Sequence, residues 1–315
     1  MIRRCLYCYQ PLPEVAKDFH PACSKKFFGT ETVPELSLTM EKMEELAKDI
    51  VLRSVAVTGV QPKLSLTIDK QPEDPKKSRF TIVGLWGSYI LKPPSKEFPH
   101  LPENEDLTMH LAALFGINSA QHSLVRLQSG ELAYITKRFD RNAEGKLALE
   151  DMCQLTETLT ADKYRSSMEK IGKAIWAYAS RPGLAAISFF ELTLFSFITG
   201  NADMHLKNFS LLTDREGEIM FAPAYDLLCT KLAIPDDKEE TALTLNGRKS
   251  RFKKTDFDAL GKSLKIPSRS IENSYTRLGK CVPLAEDWIN ISFLPDEQKE
   301  KYWEIIQQNS KRLGL

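Results

Sequence analysis

The apolar run from Ala185 to Thr199 leads directly into Gly200-Asn-Ala-Asp203-Met-His-Leu-Lys207-Asn208-Phe-Ser-Leu-Leu212, and this junction constrains the fold more than any other part of the chain. The run reads as a buried helix; Ser188 and Glu191 interrupt it, and it falls short of the roughly 18–20 uninterrupted apolar residues of a membrane span. The segment behind it sets five polar side chains into eight positions. Each such group left unpaired in a buried place costs on the order of 1–3 kcal/mol, so partners are required, and a metal or a substrate can supply them. Phe209 to Leu212 and Glu218 to Phe221 flank Asp214-Arg-Glu-Gly217 and read as a hairpin, which returns the chain to its starting point. Pro223-Ala-Tyr-Asp226 is therefore expected beside Asn208, and Asp203, Asn208 and Asp226 are expected to converge. Singly, each reads as a cap or a turn stabiliser. Together, at a spacing consistent with the hairpin, they point to a site.

The rest of the chain supplies a frame in two parts. Val60 to Asp69, Phe80 to Val83, Ser88 to Lys92, His122 to Leu127 and Leu132 to Arg138 are short alternating or β-rich runs, which imply an antiparallel sheet. A helix is expected over Thr39 to Val51, with Thr39 as its N-cap, and another is inserted at Glu105 to Phe115, with Asn104 at the cap and Gly116 closing it. Beyond about residue 145 the texture is helical: Ala161 to Ser180, Ala185 to Thr199, Thr255 to Leu264, Ser268 to Leu278 and Asp296 to Arg312. We therefore expect an α+β chain with a small Cys/His appendage over 1–30, a β-rich lobe over 31–140 and a helical lobe over 141–315. At 42% hydrophobic, 315 residues suffice for full-sized cores, which excludes a disordered chain. Forty-three basic against 42 acidic residues leave +1, so no strong overall field draws the chain to nucleic acid or membrane. The N-terminus carries no secretory signal pattern, and the chain is expected to be cytoplasmic.

Carboxylate and amide oxygens suit Mg²⁺, which keeps several waters and is usually completed by phosphate oxygens. Phosphoryl transfer uses one Asp to orient the nucleophile's hydroxyl, and an Asn with a second Asp to hold the metal against the phosphates. Asp203 and Asn208 have the spacing of that template, and Asp226 stands in Tyr-Asp-Leu form where a DFG Asp would be. Lys92, at the end of Tyr89-Ile-Leu-Lys92, is the candidate phosphate lysine; a solvent-facing strand lysine is the plainer reading. Glu105 is its candidate ion-pair partner, although an acidic residue in a first turn also suits the helix dipole. The loop from Ser54 to Lys63 precedes a strand as a phosphate-covering loop would, with a single Gly59 and neither a Gly-x-Gly-x-x-Gly nor a Walker A pattern.

Thr58-Gly-Val-Gln-Pro-Lys63, Ile90-Leu-Lys-Pro93, Asn104-Glu105, Lys137-Arg-Phe-Asp-Arg141, Glu150-Asp-Met-Cys-Gln154, Gly200 to Asn208 and Pro223 to Asp226 together resemble the HipA family of toxin serine/threonine kinases, in the family's order over roughly residues 50 to 265. The resemblance implies a bilobal kinase fold with ATP and Mg²⁺ between the lobes. It makes Asp203 the catalytic base, Asn208 and Asp226 the metal ligands, and Lys92 the phosphate lysine. Lys63, Gly59, Val60 and Gln61 would lie near the phosphates, and Lys137 and Phe139 near adenine. Ser54, with Thr58 behind it, matches the family's autophosphorylated loop serines, where the added charge of about −1.5 to −2 would repel ATP. The short stretch before Ser54 resembles the HipT form of HipBST systems. That form implies a HipB-like DNA-binding antitoxin, a HipS-like small protein and an aminoacyl-tRNA synthetase as substrate, the tryptophanyl enzyme being favoured by architecture alone.

Outside this set, Cys5-x2-Cys8-x11-His20-x2-Cys23 offers four ligands in two pairs that could close a tetrahedral structural Zn²⁺ site; scattered buried thiols are the plainer reading. Arg248, Lys249, Arg251, Lys253 and Lys254 form the one dense basic run, read as a solvated loop or as a docking patch for an acidic, tRNA-carrying or DNA-bound partner. His205 is expected to hold its loop by hydrogen bonds, and Lys207 either to stabilise phosphoryl charge or to face solvent. Two other functions fit the residues: a non-catalytic nucleotide-binding co-repressor scaffold, and a small-molecule phosphotransferase.

Overall fold

A computed structural model describes residues 3–43, 45–46, 63–69, 78–83, 87–142 and 144–315. The chain divides into two compact units, residues 1–106 with 120–139, and residues 107–119 with 140–315. The helix Leu101–Leu114 gives its first turns to the former and the remainder to the latter.

The first unit is built on a five-stranded sheet of order β2-β1-β3-β5-β4, with β1 at Leu64–Asp69, β2 at Arg79–Ile82, β3 at Tyr89–Lys92, β4 at His122–Arg126 and β5 at Leu132–Lys137. Every pairing in it is antiparallel, as alternating runs joined by short turns require. The central strand β3 buries Tyr89, Leu91 and Lys92. Residues 3–29 pack onto this sheet through aromatic rings. Phe28 lies 4.8 Å from Phe27 and 5.7 Å from Phe80, Phe80 lies 5.8 Å from Tyr89, and the Tyr89 hydroxyl donates to the Phe27 carbonyl at 3.0 Å.

The helix expected after Thr39 begins at Met40, and Thr39 caps it: its Oγ1 accepts from the Lys42 amide at 3.3 Å. Its continuation past residue 46 lies outside the described residues. The inserted helix starts at Leu101, four residues before the expected Glu105, so Asn104 is inside it and not its cap. Gly116 does close it, at φ +74.

In the second unit the helix Pro182–Ile198 is apolar over most of its circumference, with Glu191 paired to Arg277, and is accordingly central. Phe189 packs edge-on to Phe209 at 5.2 Å and to Phe221 at 6.1 Å, Phe197 meets Phe257 at 5.0 Å, and Phe195 meets Phe115 at 5.4 Å. The hairpin is present as β9 (Ser210–Thr213) and β10 (Ile219–Phe221). A strand absent from the expectations, β8 (Ala148–Asp151), extends it to the order β10-β9-β8, and a short hairpin of β6 (Arg141–Asn142) and β7 (Gly145–Lys146) precedes it.

Several helical boundaries differ from expectation, the central helix starting at Pro182 and not Ala185. The helix expected at Ala161 begins at Met168 behind the Ser167 cap. The helix Lys254–Ser263 has Thr255 inside its first turn; the Asp256 carboxylate accepts from the Lys253 amide at 2.9 Å and does the capping. The helix expected to end at Leu278 runs to Ile291 through Pro283. An interior proline costs about 3 kcal/mol; complete burial of Ala285 and near-complete burial of Ile289 beyond it offsets that. Among the described residues no helix is long and apolar enough to cross a membrane.

Phe189 is fully buried between the central helix and the β9–β10 hairpin. Phe189→Ala is expected to lower unfolding stability by about 3–5 kcal/mol in urea titrations; an unchanged midpoint would contradict this packing.

Candidate functional site

The polar loop begins where the central helix ends. Gly200 adopts φ +69, and a Cβ there would stand 2.9 Å from Ile305 and 3.3 Å from Cys229, so glycine is required both for the turn and for the close approach. The loop then closes on itself. Asn201 accepts from the Asp203 amide at 3.1 Å, the Asp203 carbonyl accepts from the His205 amide at 2.8 Å, and the Asn208 side-chain amide donates to that same carbonyl at 3.0 Å. Thr230 clamps the entry, its hydroxyl donating to the Gly200 carbonyl at 3.0 Å and accepting from the Ala202 amide at 2.8 Å.

The hairpin carries the chain back. The Ala222 amide donates to the Ser210 carbonyl at 3.0 Å, and the Tyr225 hydroxyl donates to the Lys207 carbonyl at 2.8 Å while lying 2.6 Å from the Ser210 hydroxyl. Asp226 follows with φ +61, the left-handed region that Asp tolerates better than most side chains. Asp203 and Asp226 act on the same neighbours. Burial first, then the charges of Asp203 and Asp226, push the Tyr164 phenol well above its usual pKa. Burial holds His205 below the ordinary imidazole value, while the same two carboxylates pull it the other way.

Tyr164 is a residue that the sequence did not single out. Its hydroxyl donates to Asp203 Oδ1 at 2.8 Å and its ring stands edge-on to His205 at 5.0 Å. It lies 39 residues upstream of Asp203, in a stretch expected to be helical, and no local pattern marks it. His205 departs from expectation: its main chain holds the loop, but its ring nitrogen Nδ1 is buried without a hydrogen-bond partner, as is Asn201 Nδ2. Lys207 neither stands free nor merely faces solvent, since its Nζ pairs with Asp151 Oδ2 at 2.6 Å. Asp151 also caps the short helix Met152–Leu155 in a capping box with Gln154.

In the first unit, Lys92 pairs with Glu105 at 2.5 Å, the side chains being 5% and 2% exposed. Lys92 also lies 5.4 Å from the centre of the Tyr134 ring, its cross-strand neighbour. The solvent-facing alternative for Lys92 is thereby excluded. Lys137 ends β5 and, like Phe139, is half-buried; Lys63 is exposed just before β1. Ser54, Thr58, Gly59, Val60 and Gln61 lie outside the described residues. Cys5, Cys8, His20 and Cys23 come together within the first unit. The basic run is largely matched by acid: Lys249 meets Glu239 at 3.2 Å, Lys254 meets Asp258 at 3.1 Å, and Arg248 lies 3.9 Å from Asp256. That leaves little unbalanced charge for a docking patch.

The donor set of the loop fits Mg²⁺. With its NH₂ committed to the Asp203 carbonyl, Asn208 keeps its side-chain oxygen as an acceptor, and Asp226 adds a half-buried carboxylate.

Residues 55–285 match the HipA-like C-terminal domain family, and the chain belongs to that family. It is 35% identical over 205 residues to a Sinorhizobium fredii protein described as "Putative kinase Y4dM", covering 61% of this chain and 48% of that one. It is 26% identical over 321 residues to a Haemophilus influenzae protein described as "Putative kinase", covering 93% and 85%. The chain thus spans about half the length of the first relative and most of the second. Among solved structures, a Shewanella oneidensis HipA, in a complex with HipB and operator DNA, superposes with a TM-score of 0.68 at 23% identity, covering 89% of this chain and 74% of that one. The fold is that of the HipA-like kinases, with an antiparallel sheet in the N-terminal part and a helical C-terminal part.

Lys92→Met would take from the buried Glu105 its lysine partner and is expected to cost about 3–5 kcal/mol of stability. Joint replacement with Glu105→Leu should restore most of the loss. Denaturant titration of the three proteins checks the pair; equal stability of Lys92→Met and wild type would refute its burial.

Proposed function

We propose that this chain is an ATP- and Mg²⁺-dependent protein serine/threonine kinase that serves as the toxin of a type II toxin–antitoxin system. The observation that carries the reading is the closed loop around Asp203, with the Asn208 amide bonded to the Asp203 carbonyl and the Asp203 carboxylate held by Tyr164. Family membership and the buried Lys92–Glu105 pair support it independently.

In this reading Asp203 accepts the proton of the substrate hydroxyl through its carboxylate, which the Tyr164 phenol orients and which burial of the surrounding loop keeps from reorganising. Asn208 and Asp226 hold Mg²⁺, which when bound neutralises phosphate charge. Lys92 binds phosphate oxygens, and Glu105 fixes its ammonium in one place. Lys63, Gly59, Val60 and Gln61 cover the phosphates, while Lys137 and Phe139 receive adenine. Lys207, tied to Asp151, stiffens the loop from its far side.

The proposed partners draw on the relatives and on the sequence resemblance. A HipA bound to HipB and operator DNA supports a HipB-like antitoxin here, with nucleic acid reached through that complex. The proposed substrate is an aminoacyl-tRNA synthetase, the tryptophanyl enzyme first, with a HipS-like small protein as the further partner. Self-phosphorylation at Ser54 or Thr58 would shut the kinase down by charge repulsion.

Purified protein incubated with γ-labelled ATP should incorporate label, and Asp203→Ala should lower the rate by on the order of 10²–10⁴ with little change in thermal midpoint. Undiminished labelling by Asp203→Ala would remove Asp203 from its role. Nucleotide binding by wild type without any transfer would instead favour a non-catalytic scaffold.

A further inference from the structure

The segment ahead of the sheet is short and is closed by its own backbone hydrogen bonds. A tight turn closes residues 4 to 11: the Tyr9 amide donates to the Cys5 carbonyl at 2.9 Å, the Cys5 amide donates to the Gln10 carbonyl at 2.9 Å, and Tyr9 takes φ +60. This turn presents Cys5 and Cys8. The helix Pro21–Phe28 begins directly after His20, and its first turn presents Cys23. The four ligand atoms of Cys5, Cys8, His20 and Cys23 all lie within 4.8 Å of one another.

The distances are those of a coordination sphere. Zinc bonds near 2.3 Å to sulfur and near 2.0–2.1 Å to nitrogen at tetrahedral angles place ligand N and S about 3.5 Å apart. His20 Nδ1 stands 3.5 Å from Cys8 Sγ and 3.7 Å from Cys23 Sγ. The other ring nitrogen is already engaged: Nε2 donates to the Pro11 carbonyl at 3.0 Å, which puts the proton on Nε2 and leaves the Nδ1 lone pair facing the sulfurs. An outer hydrogen bond of this kind typically fixes the tautomer of a metal-bound histidine.

We propose that Cys5, Cys8, His20 and Cys23 bind one Zn²⁺ in a closed, structural, tetrahedral site. All four positions are protein ligands, so the ion has no open position for catalysis. Its role is to hold a small segment that reaches into the sheet-bearing unit. Leu6 accepts from Leu124 at 3.3 Å and from the Ser123 hydroxyl at 3.1 Å, and the buried Tyr9 hydroxyl donates to Asp106 at 2.7 Å. Asp106 in turn meets His122 at 2.7 Å and is the neighbour of Glu105, the partner of Lys92. The metal thus braces the helix start that carries Glu105. The site stands apart from the kinase reading and holds whether or not phosphate is transferred.

The test is metal content of the tag-free 315-residue chain purified without chelators. Plasma mass spectrometry should find about one zinc per chain. Exchange with Co²⁺ alone should give the visible d–d and thiolate-to-cobalt bands of a tetrahedral sulfur-rich site. Cys281→Ser should leave both unchanged. Because Cys8→Ser risks unfolding, His20→Cys is the second variant: it keeps four ligands, should retain zinc, and should strengthen the thiolate-to-cobalt band. Less than about a tenth of an equivalent of metal, an octahedral cobalt spectrum, an unaltered cobalt spectrum in His20→Cys, or iron in place of zinc would each overturn the proposal.

Discussion

The hydrogen bond from the Asn208 side chain to the Asp203 carbonyl is the constraint around which the second unit is arranged. It spans five residues, makes a rigid ring of a polar segment, and orients the asparagine oxygen. It forms because the helix before the loop is predominantly apolar and largely buried, and the hairpin after it is anchored through Phe209 on Phe189. With both ends fixed, the intervening polar groups have little choice of partner. A buried amide that can satisfy its donors on its own backbone costs far less than one left open. The remaining oxygens then project as acceptors.

The first unit solves a different electrostatic problem. A lysine and a glutamate removed from water are together tolerable and singly costly. Placing one on the central strand and the other on a helix makes the pair a register pin between them. The tyrosine, aspartate and histidine beside it, Tyr9, Asp106 and His122, extend the polar cluster toward the N-terminal segment. The ordering of that segment therefore bears on where Glu105 sits.

Much of this was legible in the chain. The five sheet strands and the β9–β10 hairpin followed from period-two alternation and turn residues, because one face of each had to be buried. The approach of Tyr225 and Asp226 to the loop followed from hairpin geometry alone. What was not legible depended on contacts distant in sequence. Strand β8 pairs with β9 across some sixty residues and is only four residues long, Ala148-Leu-Glu-Asp151, without apolar alternation, so its own residues carry little signal. The helix expected to end at Leu278 runs on through Pro283 to Ile291, where burial of Ala285 and Ile289 outweighs what the proline costs. Tyr164 had no motif, since its role comes only from reaching Asp203. Lys92 and Glu105 were readable as a pair, but the depth of their burial was not, because a strand-end lysine is ordinarily solvated.

The central claim is that the oxygens of Asn208 and Asp226 hold a divalent cation that a nucleotide requires. Calorimetric titration of ATP into the wild-type chain, once with Mg²⁺ and once with EDTA, tests it most directly. The account predicts binding that depends on the cation and that weakens sharply in Asp226→Ala. Equal ATP affinity with and without Mg²⁺, in wild type and variant alike, would contradict it.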